Sequence, residues 1–472
     1  MNASPGVSNS ITVRLSVSSG GSAISALTAT VERAGGLVTA LDVTGSGLDA
    51  VQIDLTCAAA DGDGADRVVA ALEHLKDVSV IKVSDRTFLM HLGGVIETAS
   101  KHPIRNRDDL SMVYTPGVAR ICRAIAANRD DARRLTVKRN SVAVVSDGSA
   151  VLGLGNIGPY AALPVMEGKA ALFKSFAHID AWPIVLDTQD VDEIVATVAA
   201  IAPGFAGINL EDISAPRCFE VERQLRDRLD IPVFHDDQHG TAIVVLAALT
   251  NALRVVGKDL ATVRIVMVGA GAAGTAVLKL LLDAGAYDVV VCDLDGVVHR
   301  GRTEDHESLR WIAEHTNPQD CRGSLTEVLP GADVFVGVSA PNVVTGEDIA
   351  TMTSDAIVFA LANPDPEIDP AVARRTARVV ATGRSDYPNQ INNVLAFPGV
   401  FRGLLDAHSH EIPSAALVAA AAAIADTVEP GELNANYIIP SVFHPDVHLS
   451  VAKAVRRAVE ELPAGSGVAE GR

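Results

Sequence analysis

The stretch Arg264-Ile265-Val266-Met267-Val268-Gly269-Ala270-Gly271-Ala272-Ala273-Gly274 decides the fold. Five residues of continuous apolar character read as a strand buried on both faces, and a GxGxxG turn follows at once. The next residues, Thr275 to Asp283, have helical spacing, so the glycines sit between strand and helix. Each glycine then has a separate task. Gly269 makes the tight turn, Gly271 lets a pyrophosphate approach the backbone, and Gly274 lets helix and strand pack closely. Amide groups at the helix N-terminus, from Ala270, Ala272 and Ala273 onward, face the phosphate charge. About 20 residues on, where such folds place an acid for the ribose hydroxyls, stands Asp293. No Arg or Lys follows it in Asp293-Leu294-Asp295-Gly296, which favours NAD over NADP.

Outward from this turn the apolar runs Val263–Val268, Val289–Cys292, Val334–Val338, Ile357–Ala360 and Val379–Ala381 alternate with helical segments. This rhythm predicts a doubly wound parallel sheet of Rossmann type over 240–472, with helices closing the chain and a frayed polar tail. A continuous helical pattern, Thr241 to Val256, links it to what precedes. Residues 89–239 read as a second α/β domain, rich in turns and acidic doublets and poor in long helices. Residues 1–88 run strand, helix, strand, strand, helix, strand: Ile11–Val17, Ala23–Ala34, Leu37–Val43, Val51–Cys57, Asp66–Leu75 and Val78–Val83, with a Ser19–Gly21 turn. That βαββαβ order is a ferredoxin-like module.

The chain of 472 residues is too long for one core. With 39 basic and 58 acidic residues its net charge is −19, which argues against nucleic acid and anionic membranes as partners. The densest apolar run, Ala415 to Ala425, is about half of a membrane span, and no secretory signal is expected. Five scattered cysteines without a CxxC spacing suit a reducing cytoplasm and offer no zinc site.

Two acidic doublets, Glu211-Asp212 and Asp236-Asp237, each follow a short apolar run, with one helix between them opened by Ser214 as N-cap and Pro216 in its first turn. Taken singly, each doublet is a helix cap or a solvated loop. A strand–helix–strand crossover makes the two strands parallel, so both doublets share the ligand-binding edge. Carboxylates converging there call for a cation, and all-oxygen ligation suits Mg²⁺ or Mn²⁺.

Several phrases together resemble the malic enzymes, closest to the shorter bacterial branch. They are Tyr114-Thr-Pro-Gly-Val118, Ser146-Asp-Gly-Ser-Ala-Val-Leu-Gly-Leu-Gly-Asn156, Pro164-Val-Met-Glu-Gly-Lys169, Asn209-Leu-Glu-Asp-Ile213 and Phe234-His-Asp-Asp-Gln-His-Gly-Thr241. Ala360-Leu-Ala-Asn363-Pro364 and Asn392-Asn393 before Phe397-Pro-Gly-Val400 complete a set running from Arg86 to Arg402. The resemblance implies oxidative decarboxylation of malate to pyruvate and CO₂ with reduction of NAD, or NADP. It implies Lys169 as general base, Tyr114 as general acid and Asp236 as the group that tunes the base. Glu211, Asp212 and Asp237 are implied as metal ligands, and Asn363 and Asn393 as neighbours of substrate and nicotinamide. Where larger eukaryotic members carry an Arg for the malate carboxylate, this chain has Ser149-Ala150.

A Lys base at neutral pH is expected to have its pKa lowered by burial or a nearby cation. Without the other motifs, Tyr114 is a turn residue packing before Pro116 and Lys169 a surface cation at a helix start. The N-terminal module resembles an ACT domain, though its first turn lacks the Asp and Pro many such domains carry there. The resemblance implies either an amino-acid or metabolite effector between paired copies or a purely structural or dimerising role, and a homodimer or larger homo-oligomer. Three rivals stay open at this point: a malolactic enzyme, a hydroxyacid or amino-acid dehydrogenase with an ACT module, and a metabolite sensor.

Overall fold

The computed structural model describes residues 10–18, 23–47, 50–59, 62–302 and 306–461, so the expected Ser19–Gly21 turn and the polar tail lie outside the described residues. The chain divides into two compact units, Met1–Thr98 and Ala99–Arg472. The first carries the strands β1 (Ser10–Ser18), β2 (Leu37–Ser46), β3 (Ala50–Ala58) and β4 (Val78–Asp85), with helices Ala23–Arg33 and Gly62–Glu73. Sheet order is β2-β3-β1-β4 and the pairs are antiparallel. Alternation along β1 sorts its side chains. Ile11, Val13, Leu15 and Val17 are buried with Leu27, Val31, Val68 and Leu72 of the helices. Arg14, opposite Asp54 in register on β3, forms a two-pronged ion pair with it at 2.7 Å.

In the second unit β5 (Ser141–Ser146), β6 (Asp180–Val185), β7 (Gly207–Leu210) and β8 (Val233–His235) form a parallel sheet in the order β6-β5-β7-β8. The chain leaves β5 for β6 on one side and later returns to place β7 on the other. Such a reversal opens a crevice at the carboxyl ends of β5 and β7, where parallel sheets bind ligands. The crossover after β5 is the 19-residue helix Pro159–Ala177, longer than the sequence suggests for this region.

The other sheet holds β9 (Arg264–Val268), β10 (Asp288–Asp293), β11 (Gly296–Val297), β12 (Val334–Gly337), β13 (Ile357–Ala360) and β14 (Val379–Thr382). Its order, β11-β10-β9-β12-β13-β14, is doubly wound and parallel, except that the two-residue β11 closes the edge antiparallel. Between the sheets' contributions to one core lies the helix Thr241–Val256, buried on nearly every side. A helix apolar all round belongs in such a place. With the turn before it, Asp236–Val256 is long and apolar enough to cross a membrane by length and composition, yet most of it is buried within the fold. Val142 and Val144 of β5 share that core with Ile265 and Met267 of β9.

Candidate active site

The glycine turn is built as its residues require. Gly269 has φ 106, and a Cβ on Gly274 would lie 1.9 Å from the Gly269 carbonyl, so any side chain there would push helix and strand apart. At Gly271 a Cβ would meet nothing, which leaves the turn's outer side open for a dinucleotide's phosphates. The helix beyond it runs Ala272–Asp283. The ribose corner departs from the local sequence. Asp293 ends β10, and its carboxylate is gripped by Arg302, Nη1 to Oδ1 at 2.8 Å and Nη2 to Oδ2 at 2.5 Å. An arginine does stand beside Asp293, brought there by the turn through β11 rather than by the next few residues.

The acidic doublets come from adjacent parallel strands, with Leu210 beside His235 in register. Glu211 and Asp212 leave β7, and Asp236 and Asp237 begin a wide π-type turn, Asp236–Gly240, that leads into the Thr241–Val256 helix. One oxygen from each of Glu211, Asp212 and Asp237 lies within 4.8 Å of the others. The Asp212 Oδ2 is buried and, among the described residues, has no hydrogen-bond partner. Burial and then the Asp237 charge push Asp212 up to about 7, against the pull of Lys169. Burial likewise drives Glu211 well above the ordinary carboxylate range, with Asp236, Asp237 and Asp212 adding to it and Lys169 opposing. Carboxyls this unfavourably placed, all hard oxygen donors, fit a divalent cation such as Mg²⁺ or Mn²⁺.

Asp212 has a left-handed backbone (φ 54), which Asp tolerates better than a branched residue. It is tied from both sides. Its N–H donates to Asp237 Oδ2 at 3.0 Å, and its carbonyl accepts from Ala150 N–H at 3.0 Å. Beneath this loop lies Asp147, fully buried, whose Oδ1 accepts the Ser149 N–H at 3.0 Å and the Ser149 hydroxyl at 2.5 Å. Its Oδ2 accepts from Arg217 Nη2 at 3.1 Å, and Ser149 Oγ accepts the Ser214 N–H at 2.9 Å. Ser214 is thus not a side-chain cap. The helix starts only at Arg217, with Pro216 as its N-cap, because the Asp212 turn uses the preceding residues. Asn209 Nδ2 donates to Glu211 Oε2 at 2.9 Å. His235 is fully buried, its Nδ1 3.7 Å from Asp237 Oδ2.

Lys169 lies in the middle of the Pro159–Ala177 helix, not at its start. Its face is set by Met166, Ala170 and Phe173, which are buried. Its side chain, 10% exposed, passes over the Phe397 ring at 4.3 Å. Nζ ends 2.7 Å from Asp236 Oδ2 and 2.8 Å from Glu211 Oε1. Burial disfavours the ammonium, yet Asp236 and Glu211 outweigh it and hold Lys169 above its ordinary pKa. This reverses the lowered value expected of a base. Asn393 Nδ2 donates to Asp236 Oδ2 at 3.1 Å and to Thr241 Oγ1 at 3.2 Å.

Asn363 follows β13 and is exposed. A Cβ on Gly153 would lie 2.9 Å from its carbonyl, so the Ser146–Asn156 loop and the end of the dinucleotide sheet meet there. Tyr114 stands apart. It caps the Arg107–Val113 helix, is exposed, and among the described residues has no hydrogen bond to Lys169. Asp147, Arg217, Asn209 and His235 were given no role from the sequence. Asp147, Asn209 and His235 lie inside motifs shared with the family, the one signal that pointed to them, and Arg217 had none.

The chain that builds this site is similar to known proteins over most of its length. Residues 93–226 match the malic enzyme N-terminal domain and residues 238–460 the malic enzyme NAD binding domain. The chain belongs to the malic enzyme family. An NAD-dependent malic enzyme of Geobacillus stearothermophilus is 54% identical over 98% of this chain and 96% of its own length. A bifunctional malic/malolactic enzyme of Bacillus subtilis is 52% identical over 78% of this chain and 90% of its own. The crystal structure of an NAD-dependent malic enzyme from Thermotoga maritima is similar at a TM-score of 0.76 with 48% identity, covering 79% of this chain and 99% of that one. The expected family and α/β architecture hold.

Proposed function

We infer that this chain oxidises malate at C2 with NAD and decarboxylates the product to pyruvate and CO₂. The observation that carries this reading is Lys169 Nζ, held between Asp236 and Glu211 at the edge of the three-carboxylate cluster. When bound at Glu211, Asp212 and Asp237, Mg²⁺ or Mn²⁺ supplies Lewis acidity toward the substrate oxygens, while NAD at the Gly269–Gly274 turn supplies the hydride acceptor.

Lys169 receives the proton of the C2 hydroxyl. Asp236, hydrogen-bonded to Lys169 Nζ, is placed to take a proton on from it. Asn393 fixes the accepting carboxylate. Tyr114 returns a proton to C3 after CO₂ leaves, a task suited to a hydroxyl. Asn363 lines the meeting of substrate loop and dinucleotide sheet.

The chain acts as a homodimer or larger homo-oligomer. The helices Arg107–Val113 and Val118–Ala127 have no buried residue, and Met112, Val113 and Tyr114 present apolar surface that a second copy would cover. Residues 1–88 serve as an ACT-like module for an amino-acid or metabolite effector, a role that their βαββαβ order and antiparallel sheet support. A cytoplasmic site of action fits five cysteines that are all unpaired.

The test supplies malate and NAD with and without Mn²⁺. Equal amounts of NADH and pyruvate, both abolished by EDTA, are expected. Lactate without net NADH would make it a malolactic enzyme instead. EDTA-resistant turnover of another hydroxyacid or an amino acid, or no turnover at all, would overturn the reading.

A further inference from the structure

At the ligand edge of the dinucleotide sheet the strand ladder stops one residue past β12 and β13. The Val338 N–H donates to the Val268 carbonyl at 3.0 Å, and the Leu361 N–H donates to the Gly337 carbonyl at 3.0 Å. The next N–H on each segment goes to one side chain. Glu367 Oε1 accepts the Ser339 N–H at 2.7 Å, and Oε2 accepts the Ala362 N–H at 3.0 Å. The Ser339 hydroxyl donates to Oε1 as well, at 3.4 Å. Glu367 is fully buried, and these partners are all neutral donors. Burial pushes its carboxyl above the ordinary range, while the Ala362 and Ser339 N–H groups pull it back. A polar group so placed is unfavourable unless it is hydrogen-bonded, and this one is, through both oxygens. It fits because β12 ends in glycine: a Cβ on Gly337 would lie 2.4 Å from the Glu367 Cδ. Further out the two loops are joined by Asn342 N–H to the Pro366 carbonyl at 3.1 Å and Val344 N–H to the Glu367 carbonyl at 3.3 Å.

A dinucleotide crosses such a sheet where the strand order reverses, here between β9 and β12. Its pyrophosphate meets the Gly269–Gly274 turn and its adenosine lies toward β10, so its nicotinamide half lies over the ends of β12 and β13. Ser339 stands against the glycine turn, since a Cβ on Gly269 would lie 3.2 Å from the Ser339 Cβ. Asn363 follows Ala362 directly, and its carboxamide packs over Gly383, where a Cβ would lie 3.2 Å from both Nδ2 and Oδ1. Resting on the malic enzyme reading, we infer that Glu367 is a positioning residue for the nicotinamide half of the coenzyme: by collecting the first free N–H beyond β12 and beyond β13, it fixes Ser339 and Asn363 relative to one another on either side of the ring's bed. It is buried beneath the two loops and acts through them. A carboxylate suits the task because it has two acceptor oxygens and no donor. An amide in its place must turn its NH₂ toward one of the two N–H groups, and that loop is released.

Calorimetric titration of the full chain with NADH and with ADP-ribose tests this apart from turnover, because ADP-ribose keeps the pyrophosphate and both riboses but lacks the ring. Glu367→Gln should weaken NADH by roughly tenfold and ADP-ribose by less than about threefold, the scale of losing one hydrogen bond to a charged group. Gly337→Ala leaves the carboxylate intact but displaces it, and should give the same selective loss. The double variant should then be no worse than the more affected single, since both changes break one arrangement. Equal weakening of NADH and ADP-ribose would mark Glu367 as a general prop of the sheet and overturn the inference, as would wild-type NADH affinity in Glu367→Gln. Malate-dependent NADH formation by wild type, measured alongside, separates that failure from a failure of the functional reading.

Discussion

Lys169 and Asp236 meet at 2.7 Å, Nζ to Oδ2, although one lies mid-way along a helix and the other begins the turn after β8. The contact joins two faces of one site. Asp236 is held on its far side by Asn393, which precedes the Phe397–Asp406 helix, while Lys169 also reaches Glu211 at the end of β7. The lysine and the three-carboxylate cluster therefore share Glu211. Any change at one is felt by the other.

Removing one ligand should separate cation binding from folding. Asp237 is partly exposed and its carboxylate accepts the Asp212 N–H, so Asp237→Asn keeps shape and an acceptor while losing charge. Mn²⁺ affinity, followed by electron paramagnetic resonance, is expected to drop together with turnover, with an unchanged unfolding midpoint. Wild-type Mn²⁺ affinity in this variant would remove Asp237 from the ligand set.

Asp147 should act on the cation without touching it. Through Ser149 it holds the Ser214 N–H, and with Arg217 it braces the loop in which Asp212 is left-handed. Groups that orient metal ligands are typically worth about 10- to 100-fold in affinity, and Asp147→Asn should weaken Mn²⁺ within that range. NADH binding, which depends on the other sheet, should be unaffected. Equal weakening of both would instead mark a general loss of structure.

How much of this was legible follows from burial and reach. The strands of the dinucleotide sheet are covered on both faces, so they read as apolar runs; Ile357–Ala360 matches its expected bounds and β9 starts one residue late. β5 and β6 gave no such signal. β5 is flanked by Ser141 and Ser146, and β6 is an edge strand that carries Pro183, which an edge permits and a periodicity reading rejects. The doublets' shared edge was legible from the crossover rule. The raised pKa of Lys169 was not, because it depends on two carboxylates arriving from different strand ends. Arg302 was missed for the same kind of reason: its partner is near only after the chain has turned.

Stability in acid should depend on Glu222, which is buried on the Arg217–Arg228 helix. It accepts from Gln238 Nε2 at 2.9 Å, and His239 Nε2 lies 2.6 Å away. Burial alone would raise its pKa, but His239, His235 and Arg226 outweigh that and bring it down to about 2 from an ordinary 4.5. The unfolded chain then binds the proton first. The contribution is present above pH 4.5 and is lost as pH falls toward 2. Glu222→Gln should lower the unfolding midpoint at neutral pH and flatten its fall through that window. An equally steep fall in the variant would place the acid sensitivity elsewhere.

The proton transfers at C2 and C3 of malate involve different carbons, and the structure holds Lys169 and Tyr114 in unlike settings. Lys169 is buried against Asp236 and Glu211, whereas Tyr114 is 66% exposed at the end of the Arg107–Val113 helix. Lys169→Ala is therefore expected to suppress hydride transfer in both directions, malate oxidation and oxaloacetate reduction alike. It also releases Asp236 and Glu211 from their ammonium, so Mn²⁺ affinity should change as well. Tyr114→Phe deletes one hydroxyl that no described contact uses, so NADH and Mn²⁺ binding should persist and oxaloacetate should still be reduced. Its defect should appear at C3, where proton delivery is worth about 10²- to 10⁴-fold. The deciding measurement is exchange of pyruvate methyl protons with deuterated water, followed by NMR in both variants. Slow exchange in Tyr114→Phe with intact oxaloacetate reduction assigns the C3 proton to the tyrosine. Wild-type exchange in that variant would transfer the task to another group, with Lys169 the first to test, since it already holds a proton at the edge of the acidic cluster.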